Sequence, residues 1–143
     1  MNLLPGASVG DFSCYVTVLN RSAALLAQMT SALDSGEFTT RPADSILPGH
    51  EAYFMAEASD SGGPEGTVTY QVEGGGTITL RFACPYLEDN DLGVPTNNSR
   101  LGVSRYGALG YVQWGPNGEN WGTENNFPLR GHPLSVLFVI DGT

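Results

Sequence analysis

Apolar positions in this chain recur with a period of two, in short runs separated by glycine, proline and asparagine. Phe12, Cys14, Val16 and Val18 fall on one face of an extended segment, with Tyr15, Thr17 and Leu19 on the other. That alternation predicts a half-buried strand starting near Phe12. Residues 25–33 are rich in the helix formers Ala and Leu, but the flanking turns Asn20-Arg21-Ser22 and Asp34-Ser35-Gly36 favour a hairpin strand instead. A short strand over 45–47 is expected to end at Pro48-Gly49. Residues 51–58 then alternate Ala52, Phe54 and Ala56 against Tyr53 and Met55.

The strongest hairpin signal joins residues 67–72 to 77–83 through Glu73-Gly74-Gly75-Gly76. Val68, Tyr70 and Val72 share a face there, with Ile78, Leu80 and Phe82 opposite. Residues 85–102 are polar and turn-rich and predict a long loop. Strands are expected to resume over 102–106 and 111–114, and a second loop over 115–133 carries Trp121, Phe127 and His132. Residues 134–140 are almost continuously apolar and predict a central strand. About eight short strands with no strong amphipathic helix predict an all-β, single-domain antiparallel sandwich or barrel spanning residues 1–143.

Composition sharpens the functional reading. The chain has 143 residues, a formal net charge of −9, and six basic residues against fifteen acids. All six are arginines. Without a basic cluster, nucleic-acid binding is not expected, because that affinity comes largely from neutralising phosphates. The two cysteines, Cys14 and Cys84, are too few for a disulfide scaffold and read as buried thiols, with one bridge between them left open. No cationic segment followed by a long apolar run opens the chain, which predicts a cytoplasmic protein or one exported by a non-classical route. The sequons at Asn20 and Asn97 are then expected to be unused.

Chemistry is hard to assemble from these residues. His50 follows a Pro-Gly turn and His132 lies between Gly131 and Pro133, and neither is set beside an evident nucleophile. The acidic run 88–91 lacks the spacing of a calcium loop and reads as a solvated turn. Neither a metal, a cofactor nor an enzymatic activity is expected. The aromatic residues near strand ends, Tyr86, Tyr106, Tyr111, Trp114, Trp121 and Phe127, suit stacking on sugars, caging a quaternary ammonium or entering a lipid interface.

The order of several segments resembles the actinoporin-like cytolysins, the superfamily that also holds fungal fruit-body lectins and is close in architecture to the aegerolysins. The segments are Val16-Thr17-Val18-Leu19-Asn20-Arg21-Ser22, Leu33-Asp34-Ser35-Gly36, Ile46-Leu47-Pro48-Gly49-His50, Gly66-Thr67-Val68-Thr69-Tyr70, Phe82-Ala83-Cys84-Pro85-Tyr86 and Gly131-His132-Pro133-Leu134. The resemblance implies an actinoporin-like sandwich with a phosphocholine pocket. Carried over singly, Ser35, Thr67, Ala83, Pro85 and Tyr86 occupy the pocket positions, with Tyr106, Tyr111 and Trp114 as further aromatic candidates.

Two departures qualify what the resemblance implies. Leu87-Glu88-Asp89-Asn90-Asp91 stands where the family carries membrane-seeking aromatics, and only about a dozen residues precede the first strand, in place of a long amphipathic helix. The expectation is therefore a cytolysin-like or toxin-like module that binds a membrane lipid headgroup and needs a protein partner for any pore. The alternative is a glycan-binding lectin.

Overall fold

Ten strands are found in the computed structural model, which describes residues 12–60, 62–85 and 88–142. They are β1 (Cys14–Asn20), β2 (Leu26–Ser35), β3 (Glu37–Thr40), β4 (Ser45–Ile46), β5 (Glu51–Glu57), β6 (Glu65–Val72), β7 (Thr77–Ala83), β8 (Asp91–Asn97), β9 (Gly102–Leu109) and β10 (Leu134–Asp141). One sheet has the order β3-β5-β1-β10-β9 and the other β4-β2-β6-β7-β8. The expected all-β sandwich is what forms, with one refinement: β1 and β10 pair in parallel, while the other pairings are antiparallel.

The period-two pattern is what drives the two sheets together. Cys14, Val16 and Val18 of β1 and Leu134, Val136, Phe138 and Ile140 of β10 face Val68, Tyr70, Ile78, Leu80 and Phe82 from the opposite sheet, all of them buried. Phe54 of β5 meets Phe82 of β7 edge to face, with ring centroids 5.3 Å apart, so one aromatic pair bridges the layers. The predicted hairpin β6–β7 has Val68 opposite Leu80 and Tyr70 opposite Ile78. Gly36, at φ 89°, turns the corner from β2 in one sheet to β3 in the other. A Cβ there would come within 2.7 Å of the Glu57 carbonyl oxygen.

The predicted central strand is β10, whose residues are buried on both faces as far as Ile140. Its inner face fills the core. Its outer face, with Leu137 and Val139, joins Leu19 and Tyr106 in a second apolar cluster against which Trp114 and Trp121 pack. The long segment between β9 and β10 therefore lies over the first sheet as a cover.

Two expectations need correction. Residues 85–102 are not one long loop, because they contain β8; that strand is an edge, so it tolerates Pro95 and polar residues and shows only Leu92 fully buried. Residues 111–114 are not a strand. Gly110, at φ 88°, ends the β9 direction, and the buried Ser135 hydroxyl donates to the Gly110 carbonyl (2.6 Å) and accepts from the Val112 amide (3.0 Å).

Both sequons sit where the chain crosses between sheets. Asn20 is fully buried, its Nδ2 donating to the carbonyls of Ala24 (2.8 Å) and Ile46 (3.1 Å) while its Oδ1 accepts from the Ser22 amide and hydroxyl. Asn97 repeats the arrangement, donating to Leu101 (2.8 Å) and accepting from the Ser99 amide and hydroxyl. These side chains are committed to tying the crossings together.

Candidate functional site

A cleft of about 510 Å³ opens on the outer face of the first sheet. Its floor is the outward set of two neighbouring strands: Tyr15 and Thr17 of β1, and Glu51 and Tyr53 of β5. Their register explains the grouping, since Thr17 pairs with Tyr53 and Leu19 with Glu51, which puts the four side chains on one side of the pleat. The wall comes from the covering segment, with Tyr111, Gln113, Trp114, Glu119 and Asn120.

The wall is held by its own hydrogen bonds. Ser135 fixes the backbone on both sides of Tyr111 through the bonds already described. The indole Nε1 of Trp121 donates to the Gly115 carbonyl at 2.6 Å, and Asn120, at φ 68°, donates from Nδ2 to the Gln113 carbonyl at 3.1 Å. A second anchor lies further along, where the buried Asn90 donates to the carbonyls of Pro128 (3.1 Å) and Gly131 (2.9 Å). Arg130 and Asp89 add an exposed ion pair at 2.7 Å. The acidic run beginning at Glu88 is thus a clamp on the cover.

Three tyrosine rings define the cleft chemically. Tyr15 meets Tyr111 edge to face at a centroid separation of 5.2 Å. Partial burial pushes the Tyr53 phenol above its ordinary pKa, and the neighbouring Tyr111 adds to the effect. Tyr53 and Tyr111 keep 41% and 65% of their surface exposed and are accessible to a ligand. Among the described residues the charged side chains of the lining are Glu51 and Glu119, with no arginine or histidine. Ring faces and carboxylates together suit a cation and repel an anion.

The sequence-derived candidates divide between the two sheets. Tyr111 and Trp114 line the cleft. Tyr106 lies at the same face but is buried beneath Trp121, its ring centroid 5.2 Å from the indole. Ser35, Thr67, Ala83 and Pro85 belong to the other sheet. Ser35 and Ala83 flank Glu65 in one row across β2, β6 and β7, and the Ser35 hydroxyl donates to the Gly63 carbonyl. Ala83 is buried, and Pro85 packs closely on Gly63. Thr67 pairs with Arg81, whose guanidinium already meets Asp34 (3.4 Å), Glu65 (3.3 Å) and Asp91 (3.7 Å). Tyr86 lies outside the described residues.

Sequence reasoning missed Tyr15, Thr17, Glu51 and Tyr53 as site residues. The available signal was two outward-facing tyrosines on separate strands, positions where alternation predicts ordinary polar surface. His132 stacks on Phe12 with ring centroids 3.8 Å apart. Among the described residues no group of three or more His, Cys, Asp or Glu side chains is placed to hold a metal ion.

No family model matches this chain, and no curated protein matches it in sequence. Solved structures do match in fold. The crystal structure of the lipid binding protein Nakanori aligns with a TM-score of 0.63 and 15% identity, covering 94% of this chain and 72% of that one. IP-1A from Alcaligenes faecalis aligns at 0.59 with 11% identity, covering 93% and 94%. RahU protein in complex with a Tris molecule aligns at 0.53 with 12% identity, covering 90% and 93%. At such identities the likeness is one of fold.

Proposed function

We propose that this protein is a non-enzymatic membrane-recognition module whose aromatic cleft takes the ammonium end of a zwitterionic lipid headgroup. The observation that carries the reading is the cleft itself: Tyr15, Tyr53, Tyr111 and Trp114 surround a space whose charged residues are Glu51 and Glu119. A quaternary ammonium is attracted by the ring faces and by the carboxylates, and no buried phosphate contact is needed. The lipid phosphate stays at the mouth, in water.

Leu109, Tyr111 and Leu129 are exposed large apolar side chains. Leu109 ends β9, Tyr111 follows after one glycine, and Leu129 precedes Gly131, against which the Leu109 side chain rests. These three suit shallow insertion into a lipid interface, while the net charge of −9 works against anionic bilayers. The fold shared with a lipid binding protein supports the same reading. Membrane perforation, in this account, requires a protein partner.

A second reading has its own support. Trp114 flanked by Gln113, Glu119 and Asn120 also suits a sugar ring stacked on indole with its hydroxyls hydrogen-bonded. Co-sedimentation with vesicles of phosphatidylcholine, sphingomyelin, ceramide phosphoethanolamine and phosphatidylserine, run beside a glycan array, separates the two. Binding to one of the first three and not to phosphatidylserine is the expected result. Absence of vesicle binding with positive glycan signals overturns the lipid reading in favour of the lectin.

A further inference from the structure

The chain contains two cysteines, and the fold brings them together across the core. Cys14 opens β1 in the first sheet with its side chain inward. Cys84 directly follows β7 in the second sheet. Both are fully buried and both are free thiols, and the two side chains share a hydrogen bond. Nothing in an apolar interior calls for a pair of sulfurs from opposite sheets at one point, since Val or Ala fills such volume without a polarisable, oxidisable atom.

Their placement also bears on the cleft. Cys14 and Tyr15 are successive residues of β1, one directed into the core and the other outward onto the cleft floor. A bond formed at Cys14 would therefore tether the strand supplying Tyr15 and Thr17 to the opposite sheet. We infer that Cys14 and Cys84 form a redox-operated staple, in which a two-electron oxidation by a small-molecule disulfide joins the two sheets directly behind the cleft floor.

The chemistry balances as ordinary exchange. One cysteine loses its proton and its thiolate attacks a sulfur of the small disulfide, releasing half of that molecule as a thiol and leaving a mixed disulfide on the protein. The other cysteine, likewise deprotonated, attacks the protein sulfur and expels the second half as a thiol. Two protein thiols have given up two electrons and two protons, and the small disulfide has become two thiols.

Burial pushes the Cys14 thiol well above its ordinary pKa, and its hydrogen bond with Cys84, which favours the protonated thiol, reinforces this, so thiolate is scarce in the folded protein. Exchange is accordingly slow once the sandwich has closed. The staple is set while the chain folds, or through its opening, and then persists. It links β1 to the end of β7, and the long intervening segment makes the gain in stability large.

The test uses the full chain refolded from denaturant in excess glutathione disulfide, beside a sample refolded in dithiothreitol. The expected product of oxidation is a chain lighter by two hydrogens that resists alkylation under denaturing conditions. Its melting temperature is expected to be about 10 °C higher than that of the reduced chain and to return on reduction. C14A and C84A, each refolded under both conditions, should show no internal bond and no shift between them. Two alkylated thiols per chain in both samples, a product carrying only mixed disulfides, or an internal disulfide without a rise in melting temperature would each overturn the inference. Because the wild-type chain is its own control, failure of either variant to fold leaves the comparison intact.

Discussion

Tyr15 and Tyr111 meet edge to face, with centroids 5.2 Å apart, although one belongs to the first strand and the other to a segment just past the ninth. Their contact joins the floor of the cleft to its wall. It also makes Tyr111 the most informative residue to change, because that ring is 65% exposed and carries little of the core.

Tyr111→Ala should weaken binding of phosphocholine in solution by about tenfold, the loss of one partly desolvated ring face from around a cation. The melting temperature should stay within about 2 °C of wild type, since exposed substitutions rarely cost much. Titration calorimetry and thermal unfolding on the same preparation check both. A large fall in melting temperature with unchanged affinity would show that the ring serves packing alone.

Glu51→Gln and Glu119→Gln test the electrostatic half of the cleft. Each should reduce affinity for a quaternary ammonium several-fold and make the remaining binding less sensitive to salt. Neither should increase affinity for inorganic phosphate to a measurable level, because no basic side chain among the described residues lines the site. Equilibrium titrations at low and high ionic strength give the comparison.

Ser135→Ala removes a buried hydroxyl that acts through its neighbours. It leaves the Gly110 carbonyl and the Val112 amide each one partner short, at a cost of about 1–3 kcal/mol. The effect on the cleft should be separate: Tyr111 sits between those two groups and loses its fixed position, so affinity falls more than stability alone explains. Ser135→Thr, which keeps the hydroxyl, should recover affinity before it recovers full stability.

Tyr70 supplies a prediction about stability alone. Its hydroxyl is buried in the core with no hydrogen-bond partner among the described residues, and burial pushes the phenol far above its ordinary pKa. Tyr70→Phe should therefore be neutral or stabilising, by about 1 kcal/mol. The pH dependence follows in sign. A raised folded-state pKa means the unfolded chain releases this proton first, so stability is intact below about pH 10 and is lost above it. Tyr53 contributes in the same direction. Denaturant titrations from neutral to alkaline pH should show a shallower loss for Tyr70→Phe than for wild type.

The sandwich could be read from the sequence where alternation was clean and both faces of a residue pair were decided by burial. The β6–β7 hairpin is such a case, with Val68 opposite Leu80 and Tyr70 opposite Ile78. The closing strand was legible for a different reason: apolar residues on both faces require cover on both. What supplied the outer cover was not legible, because Trp121 comes from a glycine-rich segment with no periodicity. Tyr106, expected as a strand-end aromatic available to a ligand, is consequently buried. Strand β8 was hidden by Pro95 and its polar neighbours, which an edge position permits.

Of the site, Tyr111 and Trp114 could be picked out as loop aromatics. Tyr15 and Tyr53 could not, since an outward position on a strand reads as solvent-facing until the neighbouring strand and its cover are known. Only the register of β1 against β5, which sets Thr17 opposite Tyr53, shows them as one floor.

The central claim is that the cleft on the first sheet receives the ammonium end of the headgroup. It is tested most directly by following backbone amide and indole resonances during a titration with phosphocholine. Saturable shifts confined to Tyr15, Thr17, Tyr53, Tyr111 and the indole of Trp114 are predicted. Shifts centred on Ser35, Thr67 and Ala83 instead, or no saturable shift at any residue, would contradict the claim.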